Sequence, residues 1–443
     1  MSEKKQNYGD VLFSSYNQIF RVISGPLTII LIPVFLSEIE QGYWFTFISI
    51  AGLSVFANLG FTGITSQFAA HEFAYLEIKE GIIQGPSIHK NRLGSLFKYI
   101  SKWLLLVFIV VFPLITIAGL LLLNTEDDRS GISWLIPWII YSFGSGLIFI
   151  VSGLSAFFQG CDQVKQIQKI QLVSSIIYLT LLVILFNIGC GLYTLGIATL
   201  IKSLLLIYLI FRKYKYLVRD ILNSYRTSMT TTNWNKEILP LLGKYAISWV
   251  SGYFIFQIYT PITFKYFGAV EAGKVGFSIS IFTAIFSLAG VWVTAKKPLL
   301  NFLIARKEFK EADILIIRQI KYSLFSYVII LFFGIFSLTI LENLFHLNFS
   351  ERIVSGISFT ILSIGWFCQI ILNSVATYLR SHKIEPMMKI SIFIAIYNLV
   401  VTGIFTLIIS NVDFLFIGFL SSFFLIIYPL KKLLVKTKLD FQQ

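Results

Sequence analysis

The sequence predicts an all-α integral membrane protein of twelve transmembrane helices in two six-helix bundles, with both termini cytoplasmic. Three observations lead there. Hydrophobic residues make up 56% of the 443 positions and charged residues only 13%, about half the charge that soluble proteins carry. Apolar stretches of spanning length recur along the whole chain. Basic residues gather in alternate connections, the bias that orients membrane proteins. A soluble enzyme, a disordered chain and a coiled coil are excluded by the first two observations.

The spans fall at 11–36, 42–67, 103–124, 134–158, 172–189, 192–211, 245–267, 275–295, 322–341, 353–378, 390–410 and 414–430. The first carries Ser14, Asn17, Arg21, Ser24 and Thr28, at steps of three and four that keep them on one helix face. The second carries Ser54, Asn58, Thr62 and Thr65. Trp44, Trp103, Trp134 and Trp138 sit at span ends and read as interfacial anchors. Only the turn Gly189-Cys190-Gly191 separates the fifth span from the sixth, which holds Lys202 about midway. The seventh has Gln257 and Thr260 a turn apart, with Lys265 near its outer end. The eighth carries Ser280, Thr283, Ser287 and Thr294, and the tenth carries Gln369, Asn373, Thr377 and Arg380. Unpaired polar groups are costly in lipid, so these faces point at other helices or at water. Helix packing through small polar residues accounts for most Ser and Thr. A water-filled cavity between two bundles accounts better for stripes on helices one, two, seven and eight together.

Charge supports the span count. Of the 36 Lys and Arg, Arg129, Lys274 and Arg352 fall in odd-numbered connections, and Arg21, Lys202 and Lys265 lie inside spans. The remainder occupy the N-terminus, the even connections and the C-terminus, which the positive-inside rule places in the cytoplasm. The net charge of +14 is therefore an inside-facing bias and implies no nucleic-acid partner. Outer connections are short, and some are acidic, such as Thr125-Glu126-Asp127-Asp128. The stretch 296–321 alternates basic and apolar residues. It reads either as an amphipathic helix on the anionic inner leaflet or as an ordinary cytoplasmic connection. Cys161, Cys190 and Cys368 are too scattered for a disulfide framework or a zinc site, and no cofactor is expected. The polar start runs straight into the first span, so no removable signal peptide is expected.

Six spans per half would place duplicated halves in the same orientation. FFQGCDQVKQIQKIQ from Phe157 parallels TYLRSHKIEPMMKIS from Thr377, with Lys169 matching Lys389 and Ile170 matching Ile390. The organisation that follows is a bundle at 1–211, a cytoplasmic linker at 212–244 and a second bundle at 245–443.

The three cations inside spans carry the functional argument. A charge at a helix centre costs about 2.5–3.5 kcal/mol on insertion scales. Arg21 lies on the first polar stripe and Lys202 is the hardest to explain by snorkelling, whereas snorkelling serves Lys265 well. No Asp or Glu stands in the middle third of any span. A buried carboxylate is what cation- or proton-coupled drug exporters commonly use, so a cavity lined by Arg and Lys suits an anion such as a phosphate or an acidic sugar. The candidate substrate-binding set is Arg21, Lys202, Lys265, Asn17, Asn58, Gln257 and Asn373. Enzyme motifs are absent. His71-Glu72 reads as a solvated helix end rather than a catalytic pair.

The stretch GYWFTFISIAGLSVFANLGFTGITSQFAAHEFAYL, at 42–76, resembles the second-span signature of Wzx-type bacterial O-antigen flippases. AFFQGCDQVKQIQKIQL, at 156–172, is similar to the connector between spans four and five of polysaccharide transporters. Both belong to the multidrug, oligosaccharidyl-lipid and polysaccharide exporter superfamily. The resemblance implies a flippase of the bacterial inner membrane that moves an undecaprenyl-pyrophosphate-linked oligosaccharide by alternating access. It also implies contact with membrane lipids and with the polymerase and chain-length regulator of the same pathway. A small-molecule exporter of the same fold is the main alternative. A membrane glycan polymerase is a further one, disfavoured by the short outer connections.

Overall fold

The structure is a computed structural model that describes residues 2–79, 82–124, 131–226, 232–345, 349–382 and 387–442. The acidic connection at 125–128 lies outside the described residues. In order, the helices are α1 (Ser2–Phe35), α2 (Glu38–Ala51), α3 (Val55–Asn58), α4 (Phe61–Phe73), α5 (Ser87–Leu123), α6 (Leu135–Gly160), α7 (Val164–Asn187) and α8 (Tyr193–Arg226). They continue as α9 (Trp234–Phe256), α10 (Tyr259–Ala289), α11 (Val291–Ala305), α12 (Phe309–Phe345), α13 (Gly356–Arg380), α14 (Met388–Leu407) and α15 (Ile417–Gln442). Among the described residues, ten helices are long and apolar enough to cross a membrane, or up to eleven with one bent pair counted as a span.

The all-α expectation has one exception. A short antiparallel ribbon, β1 (Glu77–Lys79) and β2 (Ile82–Gln84), follows α4. Its outer strand is capped by α8, where Asp220 Oδ2 accepts from Ile83 N at 2.9 Å. Helix lengths also exceed the apolar runs. α5 has 37 residues, about 55 Å at 1.5 Å per residue, so the basic segment before the third span is the continuous end of that helix. α8 does the same over 34 residues. Lys and Arg are good helix formers, and hydropathy marks where the lipid ends rather than where the helix does.

The chain divides into two compact units, one made of Met1–Ser24 and Ile50–Val250, the other of Gly25–Ser49 and Ser251–Gln443. In unit 1, α6 packs against α4, α5 and α8. Gly160 brings α6 onto α4 so closely that a Cβ there would meet Ser66 O at 2.5 Å, the small-residue contact that lets membrane helices approach. Trp138 is 0% exposed and donates from Nε1 to Thr116 O at 3.0 Å. Trp44 and Trp134 are also buried. These three indoles pack inside their units instead of anchoring at the interface, because neighbouring helices cover the span ends.

In unit 2, α10, α12, α13, α14 and α15 enclose a core around Phe282, Val275, Leu379 and Phe416. The turn between α1 and α2 is pinned to it. Gln41 Nε2 donates to Gly273 O at 3.1 Å and Arg352 O at 3.2 Å, and Arg352 donates to Leu36 O at 3.1 Å. Phe45 packs against Phe277 and Tyr43 against Phe264. The 296–321 stretch forms α11 and the start of α12, joined by a tight turn in which Lys307 takes φ 62°. Leu300, Leu303 and Ile304 are buried with Ala312, Leu315 and Ile316 in the unit 2 core. On the same stretch Leu299, Phe302, Ile314 and Ile317 stay exposed.

Gly42 makes the tightest approach in unit 2, since a Cβ would stand 1.9 Å from the backbone oxygen of Ala269. A carbonyl in a helix cannot give way as a side chain can. Gly42→Ala is expected to destabilise the protein by about 1–3 kcal/mol, read as a lowered thermal midpoint in detergent. Gly252→Ala, where nothing lies within 4 Å, is expected to leave the midpoint unchanged or raise it.

Candidate functional site: a cationic polar cluster

Unit 1 brings three of the sequence-predicted residues together. Asn17 on α1 is 4% exposed and donates from Nδ2 to Gln168 Oε1 at 2.7 Å and to Gln171 Oε1 at 3.4 Å. Its Oδ1 is buried with no hydrogen-bond partner in the described structure. One turn along α1, Arg21 is exposed and acts on Lys202 of α8 as a like charge. Lys202 Nζ sits 4.8 Å from the ring centroid of Tyr178 on α7, a cation–π contact. The Tyr178 hydroxyl lies beside Thr199. Neither cation forms an ion pair with a described carboxylate.

Asn58 of unit 1 has a local partner, and the other three candidates belong to unit 2. Asn58 ends α3, where span two bends by 41° through Leu59 and Gly60, both at positive φ. Its Oδ1 accepts from Thr62 N at 3.3 Å, which occupies it in the break. In unit 2, Gln257 sits in the break between α9 and α10 with its side chain exposed, and its backbone oxygen accepts from Ser49 Oγ. Lys265 is exposed on α10. Asn373 is half-buried on α13, where its carbonyl accepts from Thr377 Oγ1 at 2.9 Å. Sequence reasoning missed Gln168, Gln171 and Tyr178. The signal was present, since steps of three and seven residues put all three on one face of α7, but Gln168 and Gln171 read as a connector and Tyr178 as part of the fifth span.

A second charged group lies at the α4 end of unit 1. Glu72 is 2% exposed, not solvated as the sequence suggests. Its Oε1 accepts from Arg92 Nε at 2.7 Å, and its Oε2 accepts from His89 Nδ1 at 3.0 Å. Tyr75 stacks on His89 at 4.1 Å. Arg92 lies 5.1 Å over the Trp234 ring and reaches Glu237 at 3.6 Å. His71, adjacent in sequence, is exposed and takes no part.

No protein-family model matches the sequence, and no curated protein matches it. Solved structures do match the fold. An inward-facing multidrug resistance MATE family transporter of the MOP superfamily superposes with TM-score 0.63 at 12% identity, covering 95% of each chain. The MATE multidrug transporter DinF-BH gives TM-score 0.56 at 15% identity over 99% of this chain and 92% of that one. A MOP superfamily transporter from Pyrococcus furiosus, described as having a binding pocket of reversed polarity, gives 0.52 at 13% identity over 97% and 94%. The protein therefore has the fold of MATE transporters.

The Glu72 network generates a stability prediction. Arg92→Ala leaves a buried carboxylate with His89 alone and is expected to cost about 1.5–3 kcal/mol, measured as a lowered unfolding midpoint in detergent. Lys90→Ala, which breaks a more exposed pair with Asp220 at 3.2 Å, is expected to cost under about 1 kcal/mol.

Proposed function

We propose that the protein is a membrane transporter that carries an anionic, phosphate-bearing amphiphile through alternating access. The observation that carries this reading is the pairing of Arg21 with Lys202 in one polar cluster without a described carboxylate to neutralise them. Two like charges held near each other cost free energy until an anion arrives, and a diphosphate offers acceptors to both. Asn17 Oδ1 adds an unused acceptor for a hydroxyl. Within this class the substrate we favour is an undecaprenyl-pyrophosphate-linked oligosaccharide, flipped across a bacterial inner membrane. That choice rests on the 42–76 and 156–172 resemblances and on the sign of the charge.

Small-molecule export of the MATE type is the second reading, and the fold likeness to multidrug transporters favours it. For the Pyrococcus furiosus protein of similar fold, a binding pocket of reversed polarity is described as suggesting a different function. Twelve spans with both termini cytoplasmic are supported by two features. The 41-residue stretch Trp249–Ala289 is twice the length a bilayer needs, and Gly268 breaks it at φ 87°, ψ 176°. Counting it as two spans, and the bent pair as one, agrees with the charge alternation.

Arg21→Gln and Lys202→Gln are each expected to lower transport at least about tenfold with membrane abundance unchanged. The assay is the appearance of lipid-linked oligosaccharide on the far leaflet of reconstituted vesicles. Full activity in both variants, or efflux of cationic dye with no flipping of the lipid-linked sugar, would overturn the anionic reading.

A further inference from the structure

Unit 2 holds a pocket that the proposed transport path does not use. Glu271 and Lys274 of α10, Glu342 of α12, Glu351 and Asp413 stand around a cavity of about 680 Å³, within the range of small-molecule sites. Its apolar wall is Ile335, Leu338, Phe349 and Phe359. The same four residues also line a narrower crevice of about 160 Å³, bounded by Pro26, Ile30, Ile281 and Leu288, in which Ser337 is the one polar side chain among the described lining residues. The two adjoin across these four side chains, a polar mouth beside an apolar crevice. The mouth is formed at the helix ends that the charge alternation assigns to the outside.

The mouth is acidic but not uniformly so. Lys274 Nζ pairs with Glu271 Oε1 at 2.7 Å. Glu342 Oε1 accepts from Ser350 N at 2.6 Å, and the Asp413 backbone is held by Ser358 Oγ and Asn411 Oδ1. Neither the Glu342 nor the Asp413 carboxylate has a cationic partner among the described residues. Half-buried carboxylates beside apolar surface favour a cation that replaces lost hydration.

A small cation would satisfy the mouth and leave the crevice empty, whereas a free hydrocarbon would do the reverse. An anionic lipid would set its charge against Glu342 and Asp413. One chemistry spans the pocket: an ammonium for the Glu342 and Asp413 carboxylates, a phosphate that shares Lys274 with Glu271, and a chain for the crevice. We propose that this pocket seats a phosphatidylethanolamine molecule, its ammonium on Glu342 and Asp413, its phosphate at Lys274 and one acyl chain against Ile281, Leu288 and Ile335. The lipid is a resident of unit 2 and not the transported substrate.

The test uses the full chain in vesicles with equal amounts of phosphatidylethanolamine and phosphatidylglycerol, extracted gently and weighed by native mass spectrometry. Phosphatidylethanolamine is expected to be retained about tenfold over phosphatidylglycerol, the discrimination of one charge-assisted hydrogen bond. Phosphatidylcholine, whose head cannot donate hydrogen bonds, is expected to replace it poorly, an arm that needs no variant. The double variant Glu342→Gln, Asp413→Asn is expected to bring the ratio to about one. Ala284→Phe, which fills the crevice, is expected to reduce retention of both lipids. Equal retention by the unaltered protein, or an undiminished preference in the double variant, would overturn the proposal. So would soluble dye cations displacing the lipid while phosphatidylcholine binds as well as phosphatidylethanolamine. None of these readouts passes through transport, so failure of the transport reading would leave this one standing.

Discussion

Every backbone polar group inside an apolar phase must be satisfied by protein, because no water is there to take it. That requirement explains why the apolar stretches of the chain are built as helices, α5 and α8 among them. It also explains what happens where a helix stops short. At the Leu59–Gly60 break, Asn58 Oδ1 takes the Thr62 N–H. At the break after α9, Ser49 Oγ donates to the freed carbonyl of Gln257. Some of the polar residues that form stripes along these helices are therefore repairs to the helices themselves.

The same requirement separates two kinds of charge. Glu72 is enclosed, and both its oxygens are engaged by Arg92 and His89, so the charge is neutralised where it is buried. Arg21 acts on Lys202 as a like charge, Lys202 lies over the Tyr178 ring, and neither has an ion pair with a described carboxylate. A charge that the fold neutralises belongs to the architecture.

Much of the helical framework was legible because low charge and spanning runs have few physical solutions. The 189–191 turn, for example, separates α7 from α8 with both glycines at positive φ. What escaped the sequence depends on contacts remote in the chain. The β1–β2 ribbon is secured by Asp220, 137 residues from Ile83. Glu72 looked solvated because its partners, His89 and Arg92, arrive from the start of α5. Trp138 looked like an anchor because nothing local announces that Gly119 leaves room for its ring. Arg21 and Lys202 could be picked out singly by their cost, but their proximity is tertiary, as is the position of Gln168 and Gln171 beside Asn17.

The division of α1 between the two units has a mechanical consequence. The chain passes from unit 1 to unit 2 between Ser24 and Gly25, returns between Ser49 and Ile50, and passes again between Val250 and Ser251. All three crossings fall inside helices, in α1, α2 and α9 respectively. Severing the chain in the connector ahead of α9 would not yield two whole bodies. The second fragment would lack the α1–α2 corner that Gln41 and Arg352 fasten to it, and would have to borrow that corner from the first.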